Sequence, residues 1–387
     1  MAECDIFPKE EFHDRCDRLQ AALAARDLDA LLLTSPADVF YTTGFLTRFW
    51  ESPTRPWFVV VPRRGEPVAV IPAIGRDLMA RNWLSDIRTW DAPDPVDDGV
   101  SLLAATLCDL VPESGRIGLP MGPETSLRMP LADHARVAAA IGRRSFTDAT
   151  DCVQRVREIK SGREIELIRE ICTIAGDAFD RVPGIVSAGQ TQRAVFAAFQ
   201  IALLEAGADW VSYVAGGAGP GGYGDVISPA TDRRLGDGDI LMLDTGAVRN
   251  GYFCDFDRNF AIGRPDPAIV RAHAALHAAT DAALATMRPG LLARDVHRLL
   301  CDHLNDEGMT PLGGRLGHGL GTVLTEWPSL SDKDETPLRD GMVLTLEPGV
   351  EISPGRILVH EENLVLRADG PELLSPRAPA ELPVIAS

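Results

Sequence analysis

Residues 240–260, ILMLDTGAVRNGYFCDFDRNF, constrain the fold more than any other stretch of this 387-residue chain. Asp244 and Asp255 stand eleven positions apart, each inside an apolar, strand-like run, and Arg249-Asn250-Gly251 turns between the runs. An ionised carboxylate in such a place is costly unless a cation meets it. A metal ion would serve both acids at once, so the rest of the chain has to be searched for further ligands. Plain ion pairs with Arg258, Arg356 or Arg367 are the competing explanation.

The pattern on either side predicts two domains, which the length also favours. Residues 9–27 have helical spacing, 28–34 form a buried-strand run stopped by Ser35-Pro36, and 58–62 with 67–72 form a hairpin around an Arg-Arg-Gly turn. Helices are expected at 74–84, 98–111 and 125–141, with strands at 86–90 and 116–119. Alternating strands and helices make residues 1–152 an α/β domain. It carries no clustered His or Cys and no phosphate-binding loop.

From residue 153 the character changes. Ser161 and Glu164 have capping-box spacing at the head of a long helix reaching about Phe179, and a second helix spans 190–205. Residues 211–224 are glycine-rich and read as a loop or a flexible wall over a pocket. Antiparallel strands are expected at 239–248 and 252–262, helices at 267–287 and 294–306, and two more strands at 341–350 and 357–366. Residues 153–387 are therefore an α+β layer of antiparallel sheet and long helices.

Five candidate ligands emerge from this half: Asp244, Asp255, His318 in LGHGLG, Glu347 in TLEPG, and Glu362 in HEENLVL. Four carboxylates and one imidazole form a hard, oxygen-rich set suited to Mn, Fe, Co or Zn, and bridging carboxylates favour two divalent ions over one. Glu361 competes with Glu362 for the last place.

These motifs resemble the pita-bread family of methionine aminopeptidase, aminopeptidase P, prolidase and creatinase. The paired Asp, the GHGLG histidine and the TLEPG glutamate match its metal ligands, and in HEEN the resemblance implies Glu362, since Asn363 and the alternation to Val365 align with the family only if Glu362 is the ligand. REIKSGREIELIR resembles the opening of its catalytic half, and LDALLLTSPADVFYTTGF the signature of its N-terminal domain. The resemblance implies an α/β N-terminal domain, an α+β pita-bread catalytic domain with a dinuclear site, and a homodimer in which each N-terminal domain reaches toward the partner's active site. It also implies that Glu347 is the general base as well as a ligand.

The departures bear on the substrate. Three further histidines of the proline-specific members fall at Ile227, Gly314 and Thr325, none of which titrates. His360 shares a strand face with Glu362, which makes it a candidate catalytic histidine or one that only hydrogen-bonds behind the ligands. Asp257 replaces the family's usual threonine. With Thr325, Trp327 and Trp50 it is assigned to the substrate pocket; an acid behind the ligands, an additional ligand or a solvated partner of Arg258 are the alternatives for Asp257, and core packing is the alternative for the tryptophans.

The expected function is metal-dependent hydrolysis of an amide or Xaa-Pro C–N bond in a small molecule or dipeptide. The alternative is a non-peptidase acting on a small zwitterion, either a dimethylsulfoniopropionate lyase or an ectoine- or creatine-type hydrolase. A net charge of −18 argues against nucleic acid or an anionic membrane as partner. Seven cysteines without a CxxC pair, and a polar first twenty residues, give the expectation of a cytoplasmic protein with reduced thiols.

Overall fold

The computed structural model describes residues 6–51 and 55–387, so Cys4 and part of the aromatic- and proline-rich stretch before Trp57 lie outside the described residues. The chain divides into compact units Met1–Arg157 and Glu158–Ser387. The division falls five residues beyond position 152 because the helix Thr150–Arg157 runs through that point. Its Cys152, Val153 and Val156 belong to the first unit's apolar cluster.

In the first unit a six-stranded mixed sheet has the order 86–90, 68–72, 58–62, 30–33, 116–119, 145–148. The run Ala30–Leu33 is apolar throughout because both of its faces are covered. Leu31 and Leu33 pack into one cluster with Val59, Val61 and Ile71, while Ala30 and Leu32 pack into another with Phe58, Val60 and Val70. Two of the expected helices are shorter than the pattern suggested. Arg76–Met79 is all that is α-helical within 74–84, and Leu131–Ala140 begins only after Pro130, which serves as its N-cap.

In the second unit the helix Gly162–Asp180 starts at Ser161 with a complete capping box: the Ser161 hydroxyl accepts from the Glu164 N–H, and the Glu164 carboxylate accepts from the Ser161 N–H. One sheet has the order 384–385, 256–262, 239–249, 210–220, with 252–253 attached to 239–249. A second runs 326–329, 318–319, 343–346, 362–367, 370–373. Asn250 and Gly251, both at positive φ, turn the chain between the paired residues Arg249 and Tyr252, which is the hairpin chemistry of an Asn-Gly turn. The stretch expected as a glycine-rich loop is largely a strand, Trp210–Pro220, paired antiparallel with Asp239–Arg249. Helices Pro267–Thr286 and Ala293–Asp306 close an apolar core that includes Ile240, Met242, Leu276, Leu300, Leu344 and Leu364. Each such leucine is worth about 1.5–3 kcal/mol when fully withdrawn from water.

Candidate metal centre

Ile240, Met242 and Asp244 lie two residues apart along one strand and so share a face: the first two enter the core, and Asp244 continues that face as an acid. Asp255 precedes the strand Phe256–Ile262, whose Asp257 lies directly opposite Asp244 in the register. Between the two acids stands Tyr213. Its hydroxyl lies 3.2 Å from Asp244 Oδ1 and also bonds Asp255 Oδ1. The ring has room because residue 246 is glycine: a Cβ there would sit 2.4 Å from Tyr213 Cε1.

His318 comes from the other sheet. Its Nδ1 is 2.8 Å from the Gly319 carbonyl, which only accepts, so Nδ1 donates and Nε2 is left for the acids or a cation. Nε2 lies 3.3 Å from Asp255 Oδ2 and 3.5 Å from Glu347 Oε1. Gly317, at φ 142°, lets the chain approach the Thr345 carbonyl to a distance at which a Cβ would collide, 2.3 Å. Asp255, His318 and Glu361 are the tightest group, with one ligand atom from each within 4.8 Å of the others.

Electrostatics set this cluster apart. Burial, then the charge of Asp255, pushes the Asp244 and Glu361 carboxyls well above the ordinary range. Burial also raises Glu347, against the pull of His318. For His318 burial opposes the imidazolium, but Asp255 and Glu347 outweigh it and raise its pKa. Acids pressed together in this way, around an imidazole with its Nε2 available, are the donor set of a divalent cation. Asp244, Asp255, His318, Glu347 and Glu361 could hold it, and the residues present fit such an ion.

Glu362, the sequence candidate for the last ligand, is turned elsewhere. Its carboxylate takes hydrogen bonds from Arg258 at 3.0 Å, Arg377 at 3.0 Å, the Ala378 N–H at 2.8 Å and the Ser375 hydroxyl. Burial works against this anion, yet Arg258, His360 and Ser375 outweigh it and hold its pKa well below the usual range. Neighbours along an extended chain point to opposite faces, so Glu361 occupies the place assigned to Glu362. The competing explanation by ion pairing, with Arg258 as the partner, therefore holds for one of the five.

His360 follows Glu362, its Nε2 lying 3.5 Å from Glu362 Oε1 and 2.6 Å from Arg377 Nη1. It lines a cavity of about 280 Å³ with Phe179, His273, Pro376 and Arg377, outside the tight acid–imidazole group. Burial lowers its pKa to about 4, and its contacts with Glu362 and Arg377 are those of the second role, hydrogen bonding behind the ligands. Asp257 lines the same cavity. It is buried, 3.4 Å from the Asn259 amide, and its pKa is pushed up to about 8 by burial against the attraction of Arg258.

Thr325 is half-buried just before the short strand Glu326–Ser329, which contains Trp327 and pairs with His318–Gly319. Trp50 packs in the first unit against Phe45 and Trp57, under the Arg128 guanidinium. Ile227 is 84% exposed. Tyr213 carried no weight in the sequence because the stretch around it read as loop. The two-residue spacing of Val211, Tyr213 and Ala215 is the signal that could have found it.

Comparison with known proteins supplies the family. Residues 166–368 match the model of metallopeptidase family M24, and residues 15–159 match the creatinase/prolidase N-terminal domain. The chain is 30% identical to the probable dipeptidase PepE of Mycobacterium tuberculosis over 387 residues, covering 98% of each chain. It is 24% identical to the Xaa-Pro dipeptidase of Pyrococcus furiosus over 369 residues, covering 94% of this chain and 97% of that one. The crystal structure of dipeptidase PepE from Mycobacterium ulcerans superposes with a TM-score of 0.83 at 27% identity, covering 98% of this chain and 100% of the other. With a creatinase-like α/β N-terminal domain, a pita-bread second domain and ligand-bearing strands inside the matched segment, the chain belongs to metallopeptidase family M24.

Proposed function

We propose that the protein is a metal-dependent dipeptidase that hydrolyses the amide C–N bond of a dipeptide at a two-ion centre held by Asp244, Asp255, His318, Glu347 and Glu361. The observation that carries this reading is the convergence of Asp255, Glu347 and Glu361 on His318, with Asp255, His318 and Glu361 already at ligand spacing and Asp244 joined to Asp255 through Tyr213. Divalent ions at such a site supply Lewis acidity and a lowered pKa for water at neutral pH.

The chain's own residues do the rest. Tyr213 holds Asp244 and Asp255 in their mutual orientation. The Gly319 carbonyl fixes the His318 tautomer. Glu347 keeps 28% of its side chain exposed, so its carboxylate is placed to take a proton from water and pass it to the leaving nitrogen. Arg315, 3.7 Å from Glu347, favours the ionised carboxylate and so works against the rise that burial causes. The names of the relatives favour dipeptides, and two of them act on Xaa-Pro dipeptides. The residues at Ile227, Gly314 and Thr325 offer none of the imidazoles expected of a proline-specific enzyme, so we extend the substrate range beyond proline.

The experiment is a panel of Ala-Pro, Ala-Leu and Gly-Phe given to protein stripped with EDTA and reloaded with Mn, Co or Zn. Release of free amino acids by the reloaded protein alone is the expected result. Turnover of creatine, ectoine or dimethylsulfoniopropionate with every dipeptide left intact would overturn the reading.

A further inference from the structure

The donors of the metal centre come from two different sheets. Asp244 and Asp255 belong to the strands 239–249 and 256–262 and their junction; His318, Glu347 and Glu361 belong to the strands and strand ends of the sheet containing 343–346 and 362–367. Among the described residues, no backbone ladder joins strand 256–262 to strand 362–367. The seam between them is closed by side chains reaching to backbone. Asn259 Nδ2 donates to the Val359 carbonyl at 2.7 Å, and Arg258 Nη1 donates to the Glu361 carbonyl at 2.9 Å. At the head of the seam, the Asp255 N–H donates to Asn363 Oδ1 at 2.9 Å, and Asn363 Nδ2 donates back to the Asp255 carbonyl.

That last pair is the two-bond exchange of a β-ladder step, made by one side chain instead of a strand. Asn363 is fully buried, and its amide cannot be reversed: Oδ1 also accepts from the Cys172 thiol at 3.3 Å. Its own backbone is tied at both ends, the N–H to Ser375 Oγ at 3.0 Å and the carbonyl to the Leu374 N–H at 2.8 Å. A ligand residue thus has both backbone polar groups fixed by a residue of the opposite sheet, two positions beyond Glu361. Of the side chains that fit there, only asparagine offers a donor and an acceptor at this reach.

We propose that Asn363 is a positioning residue that sets the separation between the two halves of the metal centre, and so determines whether two ions can be bridged. This rests on the two-ion reading above. Metal sites tolerate displacements of only about 0.5 Å before a bridging geometry is lost.

The test uses the full-length protein loaded with Mn²⁺, with ions per chain measured by elemental analysis and the electron paramagnetic resonance spectrum recorded. The parent protein is expected to hold two Mn²⁺ with an exchange-coupled spectrum. Asn363→Leu, which keeps the volume and removes the amide, is expected to hold the second ion at least tenfold more weakly and to show uncoupled Mn²⁺. Asn363→Ala serves if the leucine variant does not fold. Cys172→Ala leaves both Asp255 bonds in place and should keep the coupled spectrum. A coupled spectrum with two tight ions in Asn363→Leu or Asn363→Ala overturns the proposal. A parent protein that binds a single ion overturns the two-ion reading instead. The proposal then predicts at least a tenfold loss of affinity for that one ion in the variants, and unchanged affinity overturns it.

Discussion

One position separates a proposed ligand from an anchor at the end of the sequence Val359-His360-Glu361-Glu362. Glu361 meets Asp255 and His318, whereas Glu362, with no exposure, is enclosed by Arg258, Arg377, Ser375 and the Ala378 N–H. The two glutamates therefore predict different failures. Glu361→Gln removes a charged donor from the cluster and should abolish or strongly reduce bound metal with little loss of fold. Glu362→Gln leaves the buried Arg258 guanidinium short of its counter-charge and Arg377 with Asp281 alone. It should retain a metal-binding capacity near the parent's while losing about 3–5 kcal/mol of stability. Metal analysis and denaturant titration of both variants check this, and loss of metal in Glu362→Gln alone would return the ligand role to that residue. Alternation could not decide between them from sequence, because Glu362 to Leu366 are buried on both faces of their strand. What differs is the partner each meets, and the partners lie 13 to 106 residues away in the chain.

At the level of elements, the short strand Glu326–Ser329 shows how a ligand is held without contact to it. The strand pairs with His318–Gly319, and its first residue, Glu326, makes a buried ion pair with Lys160 at 2.8 Å. The same carboxylate accepts from the Thr322 N–H at 3.0 Å, so it also shapes the loop beside His318. Lys160→Met should cost about 3–5 kcal/mol by leaving this carboxylate buried and unmatched. Replacing both residues, as Lys160→Met with Glu326→Leu, should not restore stability, because the loop N–H would then lose its acceptor. Thermal or urea unfolding of the single and double variants measures both effects, and full recovery in the double variant would sink the argument. The glycine-rich strand Trp210–Pro220 carries a related lesson. Glycines are scarce in strand interiors, so the run read as loop. In place they admit close neighbours: a Cβ at residue 216 would lie 2.2 Å from the Met242 carbonyl.

For the whole molecule the acidic centre makes stability depend on both pH and metal. Asp257, with a pKa near 8, and Asp244, Glu347 and Glu361, all raised, bind protons in the folded protein that the unfolded chain has already released above about pH 4. The native state then holds more protons than the unfolded one, so stability falls as pH rises toward 8. His360, held down to about 4, acts in the opposite direction between about pH 4 and 6.5 and is flat above that range. Between pH 6.5 and 8 His360 no longer contributes, and His318, with its pKa raised, acts in the same direction as the acids. There the EDTA-treated protein should lose about 1–2 kcal/mol from Asp257 alone. With saturating divalent ion the slope should reverse, since the metal requires deprotonated ligands. Calorimetry at several pH values with and without metal checks it; a metal-free protein that gains stability across this window would refute the assignment.

The amino-acid sequence by itself determined the family and the α/β and α+β characters of the two units, and it pointed to four of the five residues proposed as donors. Each of these rests on local evidence: strand periodicity, the Asn-Gly hairpin, the capping box, and motifs read within a few residues. Only the tertiary structure decided between Glu361 and Glu362, brought Tyr213 to the acids, withdrew His360 from the centre and showed Asn363 closing the seam. Those outcomes depend on which distant groups compensate a buried charge or an unpaired backbone amide, and that compensation exists only once the two sheets have come together.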